Sequence, residues 1–123
     1  MNGSKLFLDT NIILYLLNGD ETLAELLNAK QLYISVITEL ELLAYKGITV
    51  KEEKIINEFV SQCKTITINN AVKQETIRIR KAYHTKLPDS IIIATALYLD
   101  LPLITSDIEF KKVEELGLVF YEK

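Results

Sequence analysis

Short apolar runs alternate with longer amphipathic segments along the whole chain. The apolar runs have the length of buried strands, and segments with helical periodicity or helix-capping residues separate them. They predict five strands, at 5–8, 32–34, 65–68, 101–105 and 118–121. The intervening segments predict helices, at 10–17, 20–28, 35–47, 51–63, 70–83, 88–99 and 108–115.

Two of the predicted helices have apolar stripes that define a buried face. Ile55, Ile56, Phe59, Val60 and Cys63 form one stripe, so Cys63 is expected in the core rather than at a reactive site. In the helix that begins after Ser35, the stripe is predicted to consist of Val36, Ile37, Leu40 and Leu43, with Gly47 closing the helix. The segment 90–99 is apolar on almost every face, which predicts a deeply buried helix.

Strands that alternate with helices throughout favour an α/β fold with right-handed crossovers. The parallel sheet of such a fold is covered by helices on both faces. We therefore predict a three-layer α/β/α sandwich with a central parallel sheet, formed by residues 1–123 as one domain.

Composition narrows the class of protein. Apolar residues make up 49% and charged residues 25% of the chain, which is typical of a globular protein. The single Cys63 allows no intramolecular disulfide, and the sequence contains neither a recognisable signal peptide nor an apolar run of bilayer length. These features predict a cytoplasmic protein. Its net charge of −3 argues against nucleic-acid binding by overall charge, so any polyanion would need a local basic patch.

Four acidic residues lie in the motifs where predicted strands give way to loops or helices. They are Asp9 in LFLDTN, Glu41 in SVITELELL, Asp89 in KLPDSIIIATAL and Asp107 in LITSD. In open parallel sheets, ligands bind beyond the carboxyl ends of the strands. Asp9 and Asp107 should face one crevice there if their strands are neighbours, and Asp89 can point the same way. Each acid alone has a structural explanation, since Asp9 can cap a helix and Asp89 can interact with a helix dipole.

Several carboxylates in one cleft repel each other unless protons or a cation intervene. Two carboxylates about 4 Å apart repel by about 4 kcal/mol at an effective dielectric constant near 20. A divalent cation removes this cost, and carboxylate oxygens suit Mg²⁺ or Mn²⁺. One His and one Cys cannot form a typical zinc site. Metal-assisted phosphodiester cleavage is therefore the leading hypothesis.

A basic segment precedes the Asp89 motif. Between Lys73 and Lys86, five Lys or Arg residues accompany the single acid Glu75. The segment is either a phosphate-binding patch or a solvated helix face. His84 lies within it, away from the acidic motifs, and is interpreted as a surface or phosphate-contacting residue rather than a general base.

Taken together, the four acidic motifs resemble those of PIN-domain ribonucleases, and LDTNIILYLL near the start is similar to VapC-type toxins of toxin–antitoxin pairs. The resemblance extends from Lys5 to about Tyr121. It implies a metal-dependent endoribonuclease that uses Mg²⁺ or Mn²⁺ and acts on RNA. It also implies a cognate antitoxin protein and a homodimer.

The resemblance also implies roles for individual residues. Asp9 and Asp107 would bind the metal most directly, and Asp89 would complete the metal site or support it. Glu41 would hold the metal through water or orient the nucleophile. Glu39 competes with Glu41, but the family pattern favours Glu41. Glu109 competes with Asp107, which is preferred because it immediately follows the Thr-Ser pair at the strand end. Supporting contacts are expected from four polar residues: Thr10 and Asn11 to Asp9, and Thr105 or Ser106 to Asp107.

Other functions agree with parts of the pattern. An RNA-processing PIN nuclease without an antitoxin would carry the same acids. A phosphoacceptor domain also places Asp at strand ends, but it requires an acidic pair where LFLDTN has one acid. A non-catalytic module could use the acids to bind a structural metal or a basic peptide.

Overall fold

Five parallel strands form one sheet in the structure, a computed structural model that describes residues 4–123. The strands are β1 (Lys5–Leu8), β2 (Gln31–Ser35), β3 (Lys64–Ile66), β4 (Leu103–Thr105) and β5 (Leu118–Phe120). The helices are α1 (Thr10–Leu17), α2 (Glu21–Leu27), α3 (Val36–Leu43), α4 (Val50–Ser61), α5 (Asn70–Tyr83) and α6 (Leu87–Leu99). A 3₁₀ helix covers Ile108–Lys112.

The strand order is β3-β2-β1-β4-β5, which places β1 at the centre of the sheet. Phe7 is in register with Tyr33 of β2 and with Leu103 of β4. β1 and β4 are therefore neighbours, and their carboxyl ends meet at one edge of the sheet.

The two faces of the sheet bury separate apolar clusters. Side chains alternate along β1, so Leu6 and Leu8 pack against one layer of helices and Phe7 against the other. The first cluster includes buried residues of α1, α2, α3 and α4, whereas the second includes those of α5, α6 and the 3₁₀ helix. This arrangement confirms the predicted α/β/α sandwich.

Helix α6 is buried on nearly all sides, as its uniform apolarity predicts. Every residue from Ser90 to Ala96 is buried, and the helix packs extensively against α5. Pro88 lies in its first turn, where a missing backbone N–H costs no hydrogen bond. None of the helices within residues 4–123 is long and apolar enough to cross a membrane.

Several predicted element boundaries are wrong. Helix α3 ends at Leu43 rather than Gly47, which instead makes a turn with a φ of 91°. Strand β4 begins at Leu103 because Pro102 lacks an N–H group for the sheet. The helix predicted at 108–115 is a 3₁₀ helix that ends at Lys112, and β3 ends at Ile66 rather than at residue 68.

The predicted buried face of α3 is also wrong in part. Leu40 is 56% exposed, whereas Thr38 is fully buried together with Leu42. The buried hydroxyl is hydrogen-bonded to a residue distant in the sequence, which a search for apolar periodicity does not detect.

Candidate active site

Asp9 lies at the junction of β1 and α1 and is buried, with 5% of its surface exposed. Its extended backbone makes it the N-cap of α1, and Thr10 N donates to Asp9 Oδ1 over 2.8 Å. The predicted capping role is therefore present. A cap needs only one carboxylate oxygen, so the second oxygen, Oδ2, is free for another partner.

Thr105 connects Asp9 to Asp107 across the neighbouring strand ends. Its hydroxyl donates to Asp9 Oδ2 at 2.6 Å and accepts from the backbone N–H of Asp107 at 3.0 Å. Since Thr105 is fully buried, these bonds are shielded from water. The adjacency of β1 and β4 thus fixes the two acidic segments relative to each other.

Asp107 is half-buried and begins the 3₁₀ helix. Its Oδ1 accepts from the backbone N–H of Glu109 at 2.9 Å. Glu109 is more exposed, and its carboxylate accepts from Lys112 Nζ at 3.1 Å. Asp107 is therefore the more buried of the two acids in the cleft.

Glu41 extends from α3 toward the start of α1. Thr10 Oγ1 donates to Glu41 Oε1 over 2.8 Å, and Thr38 Oγ1 lies 2.9 Å from Thr10 Oγ1. A carboxylate only accepts, so the single hydroxyl proton of Thr10 goes to Glu41 and Thr38 must donate to Thr10. Within the described part of the chain, Glu39 makes no comparable side-chain hydrogen bond.

Asp89 occupies the first turn of α6 and is half-buried. With Asp107 and Glu109 it lines a cleft of about 310 Å³, whose remaining lining comes from Thr85 and Lys86. The cleft thus carries three acids and one base. Glu41 and Asp9 approach the same region, as their electrostatic effects indicate.

The acids influence each other's ionisation. Burial raises the pKa of Asp9 to about 6, and the charges of Asp89 and Asp107 add to this effect, although hydrogen bonds from Thr105 and Thr10 oppose it. Burial also raises the pKa of Asp89, as do the charges of Asp107, Glu41 and Glu109, while Lys86 lowers it. Repulsion between carboxylates from four segments shows that they share one electrostatic environment.

The donor set suits a hard divalent cation. Carboxylate oxygens are the available ligands, and each oxygen that accepts one hydrogen bond keeps a second lone pair. In their present positions, no three His, Cys, Asp or Glu side chains of residues 4–123 form a group that could hold an ion. Binding of an ion would therefore require the carboxylates to move closer together. A cation favours this movement because it removes the repulsion between them.

The predicted supporting contacts are only partly correct. Thr10 contacts Asp9 through its backbone N–H, while its hydroxyl serves Glu41 instead. Thr105 supports Asp107 as predicted, but Ser106 donates to Tyr15 Oη at 3.2 Å. Asn11 is exposed and makes no side-chain hydrogen bond with the described residues.

Cys63 and His84 lie outside the acidic motifs, and neither lines the acidic cleft. Cys63 packs against the apolar core, and burial raises its pKa to about 11, which agrees with the predicted structural role. His84 is exposed at the C-cap of α5 and is not among the residues that line the acidic cleft. Sequence reasoning missed Thr38, whose only signal is a polar residue three positions before Glu41.

Comparisons with known proteins agree with this architecture. A family model of the PIN domain matches residues 6–116. A toxin–antitoxin complex from Klebsiella pneumoniae contains a chain 31% identical to this one, with a TM-score of 0.84 and coverage of 96% of this chain and 99% of that chain. A search of curated proteins found no match.

Two further solved structures share the fold at lower identity. DNA-bound VapBC from Salmonella typhimurium is 22% identical, with a TM-score of 0.83 and coverage of 94% of this chain and 97% of that chain. VapBC-1 from nontypeable Haemophilus influenzae is 24% identical, with a TM-score of 0.79 and coverage of 97% and 99%.

Proposed function

The chain belongs to the PIN-domain family, and we propose that it is the nuclease toxin of a toxin–antitoxin pair. In this proposal it is an endoribonuclease that hydrolyses RNA phosphodiester bonds with the help of Mg²⁺ or Mn²⁺. The observation that carries the proposal is the convergence of Asp9, Asp89 and Asp107 from three separate segments: Thr105 links Asp9 to Asp107, and Asp89 and Asp107 line one cleft. A site that gathers like charges without a neutralising side chain for each is suited to a divalent cation.

The carboxylates of Asp9, Asp89 and Asp107 would hold the ion. When bound, a divalent cation lowers the pKa of a water molecule and stabilises charge on phosphate oxygens. Thr105 links the carboxylate of Asp9 to the backbone of Asp107, which limits how far the two segments can move relative to each other while the carboxylates close on an ion.

Glu41 is suited to orient the attacking water. It is the most exposed of the four acids, yet the hydroxyl of Thr10 restrains one of its oxygens. The other oxygen can accept a hydrogen bond from water in the cleft. The hydroxyl of Thr38 donates to Thr10, whose hydroxyl donates to Glu41, so the three side chains form one hydrogen-bonded chain.

The proposed partners follow from the resemblance and from the similar complexes. We propose a cognate antitoxin that lays a peptide across the acidic cleft, with an Arg among the carboxylates, since Arg binds carboxylates in a bidentate manner. A homodimer and a cytoplasmic location complete the proposal. The dimer is tested by analytical ultracentrifugation, which should give twice the mass of the chain.

The catalytic proposal is tested with Asp9→Asn and a matched control. Asp100→Asn makes the same atomic change at an exposed position, the C-cap of α6. Loss of a direct ligand should reduce Mn²⁺-dependent cleavage of labelled RNA by at least about 100-fold, because loss of a supporting residue alone costs about 10- to 100-fold. The control should keep wild-type activity, and EDTA should abolish cleavage by both the wild type and the control.

Two outcomes would contradict the proposal. Equal cleavage by wild type and Asp9→Asn would exclude Asp9 from the site. A folded wild-type protein with no Mn²⁺-dependent cleavage of any RNA, in nuclease-free preparations, would favour a non-catalytic binding module.

A further inference from the structure

A row of basic side chains lies beside the acidic cleft, at the C-terminal half of α5. Ile77, Arg80, Lys81 and His84 line a shallow groove of about 490 Å³. Their spacing of three, four and seven residues from Ile77 puts them on one face of the helix. This face belongs to the segment between Lys73 and Lys86, which is either a phosphate-binding patch or a solvated helix face on sequence alone.

The basic groove and the acidic cleft are lined by neighbouring residues of the loop 84–86. His84 ends the lining of the groove, and Thr85 and Lys86 begin the lining of the cleft. Lys81 lines the groove, and Lys86 lines the cleft five residues later in the chain. A ligand long enough to occupy both depressions would have a Lys side chain available in each.

The loop is held in place by buried polar contacts. Arg80 Nη1 donates to the carbonyl oxygen of Thr85 over 2.8 Å, and the Thr85 and Ser90 hydroxyls are hydrogen-bonded. Ser90 Oγ also donates to the carbonyl of Lys86 over 2.8 Å. Because Thr85 and Ser90 are buried, these bonds fix the backbone at Lys86 before any ligand arrives.

The cations of this groove are available to a ligand, unlike Arg78 on the same helix. The guanidinium of Arg78 binds Glu75 and Glu115 at 2.9 and 2.7 Å. Lys81 and Lys86 have no ion pair within 4 Å among residues 4–123. In a protein with a net charge of −3, such a local excess of positive charge is suited to a polyanion.

We propose that this basic groove, residues 77–86 along α5 and its following loop, binds single-stranded RNA next to the bond that is cleaved. The inference rests on the proposed function and adds the path of the substrate. Lys81 and Lys86 bind successive parts of the phosphate backbone, and Ile77 and His84 offer surfaces against which a base can pack. An acidic protein segment suits the charge as well, but the adjacency of the groove to the proposed cleft for phosphodiester cleavage favours RNA.

The test measures RNA binding separately from cleavage. Asp9→Asn protein is titrated into fluorescein-labelled single-stranded RNA at several NaCl concentrations, and fluorescence anisotropy gives Kd. Each phosphate contact of a single strand contributes about 0.7 to the slope of log Kd against log salt. Adding Lys81→Ala and Lys86→Ala should weaken binding and reduce this slope by about 1.4, the sum for two contacts.

Matched controls separate a local contact from overall charge. Lys51→Ala with Lys54→Ala removes the same charge from exposed positions on α4, in the opposite helix layer. This control should keep the slope of the parent protein. Lys81→Arg with Lys86→Arg keeps both charges and should also keep the slope.

The outcomes distinguish this inference from the proposed function. If the Lys81 and Lys86 alanine variant binds RNA with the same slope as the Lys51 and Lys54 control, the RNA path is wrong, even where wild type cleaves RNA. If that variant loses binding only to a labelled polyglutamate peptide, the groove binds protein and the inference is also wrong. Failure of wild type to cleave RNA would instead contradict the nuclease assignment.

Discussion

At the scale of single residues, the burial of Asp9 is a feature that folding alone does not explain. A helix cap can be exposed, whereas Asp9 is almost fully buried and its pKa is raised to about 6. Ionised Asp9 therefore destabilises the folded protein when no metal is bound. We therefore expect Asp9 to reduce stability in the absence of metal and to be required for activity in its presence.

The sign of this effect determines its dependence on pH. A carboxyl whose folded pKa lies above its unfolded value of 3.8 costs nothing at lower pH and destabilises the fold as pH rises through about 6. The folded and unfolded pKa values of Asp9 differ by about two units, and each unit corresponds to about 1.4 kcal/mol. Ionisation of Asp9 therefore lowers the free energy of unfolding by up to about 3 kcal/mol.

The prediction compares urea unfolding of wild type and Asp9→Asn in EDTA. Asp9→Asn should gain stability relative to wild type between pH 4 and pH 7.5, by up to about 3 kcal/mol. Ionisable groups that do not interact with Asp9 cancel in this difference. A difference that stays constant over this range would show that the pKa of Asp9 is not raised in the folded protein.

Thr38 gives a second prediction at this scale. Thr38→Val keeps the shape of the side chain but removes the hydrogen bond to Thr10, so Glu41 loses part of its restraint. We expect kcat for RNA cleavage to fall by about 10-fold or more, with thermal stability maintained. Thr38→Ser should restore activity because it keeps the hydroxyl. Equal kcat for the Val and Ser variants would leave Thr38 with a packing role only.

At the scale of elements, the adjacency of β1 and β4 creates the site. The strands themselves were predictable from short apolar runs bounded by polar residues. Their order was not, because apolar patterning does not state which strands pair. Leu8 in register with Ile104 is what brings Asp9 and Thr105 together.

Helix faces were less predictable than strands, as α3 shows. Its apolar residues predicted a buried Leu40, but the fold buries Thr38 because Thr10, in a helix 28 positions earlier, meets its hydroxyl. Apolar periodicity identifies buried apolar side chains, but it cannot identify a polar side chain that is buried because it has a hydrogen-bond partner. In α6, where nearly every residue is apolar, the same reasoning succeeded.

A helix cap distant from the cleft offers a prediction that separates stability from function. Thr49 and Glu52 form a reciprocal capping box at the start of α4, with bonds of 3.0 and 2.9 Å. Thr49→Ala should destabilise the protein by about 1 kcal/mol in urea unfolding. RNA cleavage at 25 °C should not change. Loss of activity in proportion to stability would mean that activity assays report folding rather than the site.

At the scale of the whole molecule, the chain combines acidic overall charge with two oppositely charged regions that adjoin. The acidic cleft suits a cation, and the basic groove of α5 suits a polyanion. The four acids Asp9, Glu41, Asp89 and Asp107 were identifiable from sequence motifs, but their convergence depends on the order of the strands. The division of α5 into a paired and an unpaired basic face depends on Glu115, which binds Arg78.

The most direct test of the central claim is anomalous diffraction from crystals of the wild-type protein grown with Mn²⁺ at pH 7.5. The account predicts an anomalous peak in the cleft, about 2.1 Å from carboxylate oxygens of Asp9, Asp89 and Asp107. A cleft without a peak at saturating Mn²⁺, or an ion bound elsewhere while these carboxylates stay apart, would contradict it.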